Sequence, residues 1–142
     1  MSDRPMDPYT VQAINAIESL KARYFRSLDT KDWPSVDSAL ADDVDVDTTA
    51  LGGDRVTGAA NYLALLKRNY GKTITVHHGH MPEIQLTSPA VATGTWAVHA
   101  LMVRPDGKRE LCFGHDRDSY ALRGGRWLIT ATTSTRLHQD ES

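Results

Sequence analysis

Two short stretches of the chain carry residue types that do chemistry. In "KARYFRSLDTKDW", Asp29 stands beside the apolar positions Phe25 and Leu28, where another hydrophobe is the default choice. In "TVHHGHMPEI", three histidines, His77, His78 and His80, fall within four residues. A neutral imidazole titrates near physiological pH, and a carboxylate that accepts its other ring proton fixes the tautomer and stabilises the imidazolium, so the two types together suit general acid–base work. Asp29 also has a plainer reading, as a cap on a following helix or a surface partner of Lys31 or Arg26. For the histidines the rival chemistry is metal binding. Adjacent strand residues face opposite ways, so only His78 and His80 share a face, and a three-ligand site needs a donor from another strand, such as His115 or Asp118. The expectation is that no metal is bound. His99 and His138 carry no assigned role, and Cys112 reads as a small buried hydrophobe.

The elements that must position these residues are legible from periodicity. Asp7 before Pro8 is a helix start, and Val11, Ile14, Ile17, Leu20, Tyr24 and Leu28 recur at three- and four-residue spacing, which predicts a helix over about 8–30. "WPSVDSAL" predicts a short second helix, "VDVDTT" a short strand, and "GAANYLALLKRNYG" a third helix stopped by Gly71. From residue 72 the pattern changes to four long strands, "KTITVHHGHMPEIQL", "AVATGTWAVHALMVR", "KRELCFGHDRDSYALR" and "RWLITATTSTRL", separated by "SPA", "PDG" and "GG". Helices in front and an antiparallel meander behind predict an α+β fold, one domain over 1–142, with the sheet wrapped around the first helix.

Composition narrows the function classes. The 142 residues suffice for one core, and 16 basic against 18 acidic residues, net −2 and interspersed, leave no electrostatic footprint for nucleic acid or an anionic membrane. One cysteine excludes an internal disulfide and a cysteine-based zinc site. The opening "MSDRPMDPYT" has neither the basic nor the apolar region of a signal peptide, and no apolar run is long enough to span a membrane, so a cytoplasmic protein is expected. There is no glycine-rich phosphate loop, and no cofactor is expected.

The runs "YFRSLDTKDW", "HHGHMPEIQL", "ATGTW" and "GHDRDSYALRGGRW" resemble SnoaL-like proteins of the nuclear transport factor 2-like superfamily, over nearly the whole chain. The resemblance implies a cone-shaped α+β barrel, in which a strongly curved antiparallel sheet folds over the N-terminal helices around a deep, largely apolar cavity. Scytalone dehydratase, bile-acid dehydratase, lindane dehydrochlorinase, polyketide cyclases and non-enzymatic binding modules share that fold, so the fold alone does not set the function. In the dehydratases an aspartate ending the first helix holds a histidine on the facing strand. The matching positions here are Asp29 and His77, 48 residues apart. Tyr24 matches a tyrosine lining the bile-acid dehydratase site. Strict alternation sets His77 on the face opposite Ile74 and Val76, and His78 remains the alternative cavity histidine.

The resemblance further implies substrate contacts from Leu28 and Thr48, which stand where scytalone dehydratase has tyrosines. Trp96, Val98 and Met102 on the second long strand, Asp118 and Tyr120 on the third and Trp127 on the last complete that set. The expected function is a small cofactor-independent dehydratase, isomerase or cyclase acting on a hydrophobic cyclic, polyketide- or steroid-like substrate. Asp29, His77 and Tyr24 are its expected catalytic residues. The alternative is a non-catalytic ligand-binding or dimerisation module. Apolar residues on both faces of the predicted strands imply a homodimer or larger homo-oligomer.

Overall fold

The structure, a computed structural model, describes residues 6–142. The first helix, α1 (Pro8–Thr30), starts where the Asp7 carboxylate accepts the Thr10 backbone N–H at 2.8 Å, with Pro8 in the first turn. It stops at Lys31, whose left-handed backbone (φ 59°) turns the chain at once into α2 (Trp33–Ala39), capped by Asp32. That tight αα corner fixes Asp29 at the helix end. The chain continues through β1 (Leu40–Asp47), a 3₁₀ turn at Thr49–Leu51, β2 (Arg55–Thr57) and α3 (Ala59–Tyr70). Four long strands complete it: β3 (Ile74–Ser88), β4 (Val91–Val103), β5 (Arg109–Arg123) and β6 (Arg126–Glu141).

The six strands form one sheet in the order β2-β1-β6-β5-β4-β3. β3 to β6 are the expected antiparallel meander, but β1 lies parallel to β6, so the sheet is mixed. The order does not return on itself: β2 and β3 are edges, and the curled sheet is not a closed barrel. Gly124 and Gly125, both at positive φ, make the β5–β6 turn that only residues without a Cβ take cheaply.

Ile17, Leu20, Tyr24, Phe25 and Leu28 of α1 pack against Val44, Val46, Leu86, Ala92, Tyr120 and Ile129 of the sheet and Tyr62 and Leu66 of α3. The first turns of the buried stripe are displaced by one residue from the predicted positions, with Thr10 and Ala13 buried in place of Val11 and Ile14. Val11 is exposed and, unexpectedly, Lys21 is buried.

Candidate active site

The corner after α1 points Asp29 at the start of β3. There His77 Nδ1 lies 2.7 Å from Asp29 Oδ1, and the His77 backbone N–H donates to Oδ2 at 2.8 Å. The Thr75 hydroxyl donates to Oδ1 at 3.0 Å and itself accepts from Lys31 Nζ at 2.8 Å. The carboxylate is thus held from two sides by one strand and cannot follow the ring if it rotates. Burial alone pushes the Asp29 carboxyl up, but the hydrogen bonds from the His77 ring and backbone, its charge and the Thr75 hydroxyl outweigh this and hold it below the usual carboxylate range. An ionised Asp29 against a neutral imidazole requires the proton on Nδ1, which leaves Nε2 as the basic nitrogen. His78 faces the other way, as strand alternation requires.

Phe25 stacks on the imidazole, with ring centroids 5.2 Å apart and planes inclined by 17°. Its room comes from Gly79, two residues along the same face: a Cβ there would sit 3.1 Å from Phe25 Cε2 and 3.0 Å from Trp96 Cε3. On the Phe25 ring sits the Lys21 ammonium, 4.6 Å from its centroid. Lys21 is 2% exposed and donates to Asp116 at 3.0 Å and Asp118 at 2.9 Å. Its burial favours the neutral amine, but the two carboxylates outweigh this and keep it charged.

Asp29 opens on the cleft beside α1 that His77 also borders, while His77 itself lines a cavity of about 350 Å³. Leu28, Val46, Leu65, Leu66 and Val98 make much of its lining apolar. Tyr24 from α1 and Tyr62 from α3 also line it, their hydroxyls 2.7 Å apart. One of the two protons is used between them, so the other remains to be offered. Burial raises both phenols, Tyr62 to about 12 and Tyr24 well above its ordinary value, so both are neutral donors near pH 7.

Of the eight expected substrate contacts, Leu28, Thr48, Val98 and Met102 line this cavity. The other four lie elsewhere, and α1 is the reason. Asp118 sits beneath Lys21, its oxygens filled by Lys21, the Tyr120 hydroxyl (2.7 Å) and the Thr132 hydroxyl (2.6 Å). Tyr120 is wholly buried and accepts from Trp96 Nε1 at 3.0 Å. Trp96 borders the cleft beside α1, and Trp127 another between α1 and α2.

Sequence reasoning missed Lys21, Asp116, Tyr62 and Phe25. Two had a signal: a lysine four residues after Ile17 and three before Tyr24 lies on the buried stripe, and Asp116 shares a strand face with Asp118. The histidine cluster also differs from expectation. His78 and His80 are joined by His99 on the outer face of the sheet, while His115 lines the cavity and Asp118 is buried under α1.

Helices packed into a curled, unclosed sheet around an open cavity have the architecture of the nuclear transport factor 2-like cone. The chain belongs to the SnoaL-like domain family, whose model matches residues 10–133. Among solved structures it resembles a type 2 hexachlorocyclohexane dehydrochlorinase at 17% identity and a TM-score of 0.86, covering 94% of this chain and 91% of that one. It also resembles a candidate scytalone dehydratase from Novosphingobium aromaticivorans (20% identity, TM-score 0.83, 94% and 90% covered). A Mycobacterium tuberculosis protein of unknown function shares the fold as well (18%, 0.79, 95% and 79%). At such identities the likeness is one of fold.

Proposed function

We propose that the protein is a cofactor-independent lyase or isomerase that removes a proton from a hydrophobic, cyclic substrate held in the cavity. The observation that carries this reading is the 2.7 Å bond from His77 Nδ1 to an Asp29 carboxylate that Thr75 and the His77 backbone also hold. His77 Nε2 takes a proton from a carbon next to a carbonyl or to a carbon bearing a leaving group. In an elimination the C–H electron pair becomes the new double bond, the leaving group departs with its own pair, and a departing hydroxide takes the proton back as water. Tyr24, paired with Tyr62, donates to the substrate oxygen that gains negative charge.

A module kept only for dimerisation need not keep its cavity open. Here neither Trp96 nor Trp127 fills it, which supports the enzyme reading. The two named dehydrating and dehydrochlorinating neighbours point the same way. The test is a panel of cyclic β-hydroxyketones and polychlorinated cyclohexanes incubated in D₂O and followed by mass spectrometry for loss of water or HCl and for deuterium uptake. Turnover or exchange that disappears in His77→Ala supports the proposal. Exchange equal in His77→Ala and wild type, or none with any member of the panel, overturns it.

A further inference from the structure

We propose that His78, His80 and His99 form a binding site for a borderline divalent transition ion of the Zn²⁺ type, on the sheet face opposite the cavity. His78 of β3 pairs directly with His99 of β4, and their ring centroids are 5.0 Å apart. His80 is two residues further along β3, on the same face, with its centroid 4.9 Å from that of His99. One ring nitrogen from each of the three lies within 4.8 Å of the others, the only such cluster of His, Cys, Asp or Glu among the described residues.

The closest pair, His80 Nε2 and His99 Nδ1, is 3.3 Å apart. Two nitrogens bound at about 2.0–2.1 Å to one tetrahedral ion stand about 3.3–3.4 Å apart, so this pair already has the spacing of two ligands. His78 is exposed, and its ligand nitrogen already lies within 4.8 Å of those of His80 and His99. An all-imidazole set favours Zn²⁺, Ni²⁺ or Cu²⁺ over the oxygen-seeking Mg²⁺ and Ca²⁺. Three ligands leave a fourth position for water.

The site is separate from the proposed chemistry. β3 is an edge of the sheet, and an ion held by His78, His80 and His99 cross-links it to β4 just before the irregularity that follows His80. Met81 there has a left-handed backbone (φ 47°). The same strand carries His77 on its other face, so the ion acts as a staple at the edge that supports the Asp29 contact.

The test uses the full chain, freed of metal by chelator dialysis and titrated with Zn²⁺ calorimetrically and with Co²⁺ by visible absorption. The expected result is one Zn²⁺ per chain, a tetrahedral Co²⁺ spectrum, and a higher melting temperature with Zn²⁺ than with Mg²⁺. His78→Ala and His99→Ala each weaken binding by about a hundredfold or more, since even the outer partners of a ligand are worth about 10–100-fold. His77→Ala binds as wild type does, and so does His138→Ala, which removes the exposed His138–Asp140 pair. Circular dichroism checks that each variant is folded. No binding by the wild type overturns the proposal, as does binding unchanged in the His78→Ala/His99→Ala double variant. Half an ion per chain with a doubled mass overturns the single-chain site in favour of a bridge between two copies.

Discussion

Asp29→Asn separates orientation from charge at the proposed base. Asp29 Oδ2 accepts the His77 backbone N–H at 2.8 Å, a donor that cannot turn away. The amide oxygen of asparagine therefore takes that position, because its NH₂ there would meet the N–H donor to donor. The NH₂ then stands where Oδ1 was, 2.7 Å from His77 Nδ1. Thr75 adapts, since its hydroxyl rotates to accept. The imidazole adapts only by moving its proton to Nε2, and the nitrogen left for the substrate becomes a donor instead of a base. The same change in a carboxylate–histidine pair of another enzyme costs about 10⁴ in kcat. Asp29 and His77 keep about a fifth of their side-chain surface exposed, so we expect about 10³–10⁴, or about 4–5.5 kcal/mol of transition-state stabilisation. The assays are steady-state kinetics on the substrate found in the D₂O panel and ¹⁵N NMR of the His77 ring. His77→Ala should be at least as slow, and the double variant scarcely slower than the worse single one, since groups acting as a unit do not add. An Asp29→Asn enzyme within tenfold of wild type, or one whose His77 keeps its proton on Nδ1, refutes the reasoning.

Tyr24→Phe removes one donor toward the developing oxyanion and leaves proton abstraction in place, so kcat should fall about a hundredfold; an unchanged kcat assigns the tyrosine to packing. Lys21→Met leaves the buried Asp118 and the half-buried Asp116 without their cation, which costs about 3–5 kcal/mol; thermal melts of Lys21→Met with and without Asp118→Asn should show the double variant less damaged than the single. The buried tyrosines set an alkaline limit. Tyr62 is raised to about 12 and Tyr24 is raised too, so their contribution is complete below the unfolded value of about 10 and is lost as pH rises toward 12. Urea titrations between pH 9 and 11.5 should show stability falling, less steeply in Tyr62→Phe, and a flat profile contradicts the assignment. Ile74, Met81, Phe113 and Leu137 are exposed, and covering them predicts a homo-oligomer, which light scattering at micromolar concentration should register as at least two chains per particle.

The elements were legible because each carries a local signal. Asp7–Pro8 starts α1, Gly71 ends α3, and Gly107 and Gly124–Gly125 mark the turns of the meander. What local signals do not carry is pairing. β1 reads as a strand from its alternation, yet its parallel seat against β6 depends on α2 and α3, which flank it in sequence and pack on it in space. The three residues of β2 are too few to show a period.

The site was half legible, and β3 shows where pattern reading gives out. On an ordinary amphipathic strand Ile74 and Val76 would face the core and the residues between them the solvent. Here Ile74 is 63% exposed while Thr73 and Thr75 are buried, because the inward positions at this end of β3 serve the Asp29 carboxylate rather than the hydrophobic core. Periodicity alone therefore gives the faces of this strand in the wrong sense. Only a partner far away in sequence, Asp29, identifies His77 as the inward histidine. The same inversion sends His78 and His80 outward to His99, whose place opposite His78 is a matter of register and invisible before β3 and β4 are paired. A one-residue slip of β3 would exchange the two sets, offering His78 to Asp29 and His77 to the outer face. Gly79 resists that slip. It leaves the space that Phe25 and Trp96 occupy on the inner face, and either neighbour moved into its place would drive an imidazole into the Phe25 ring.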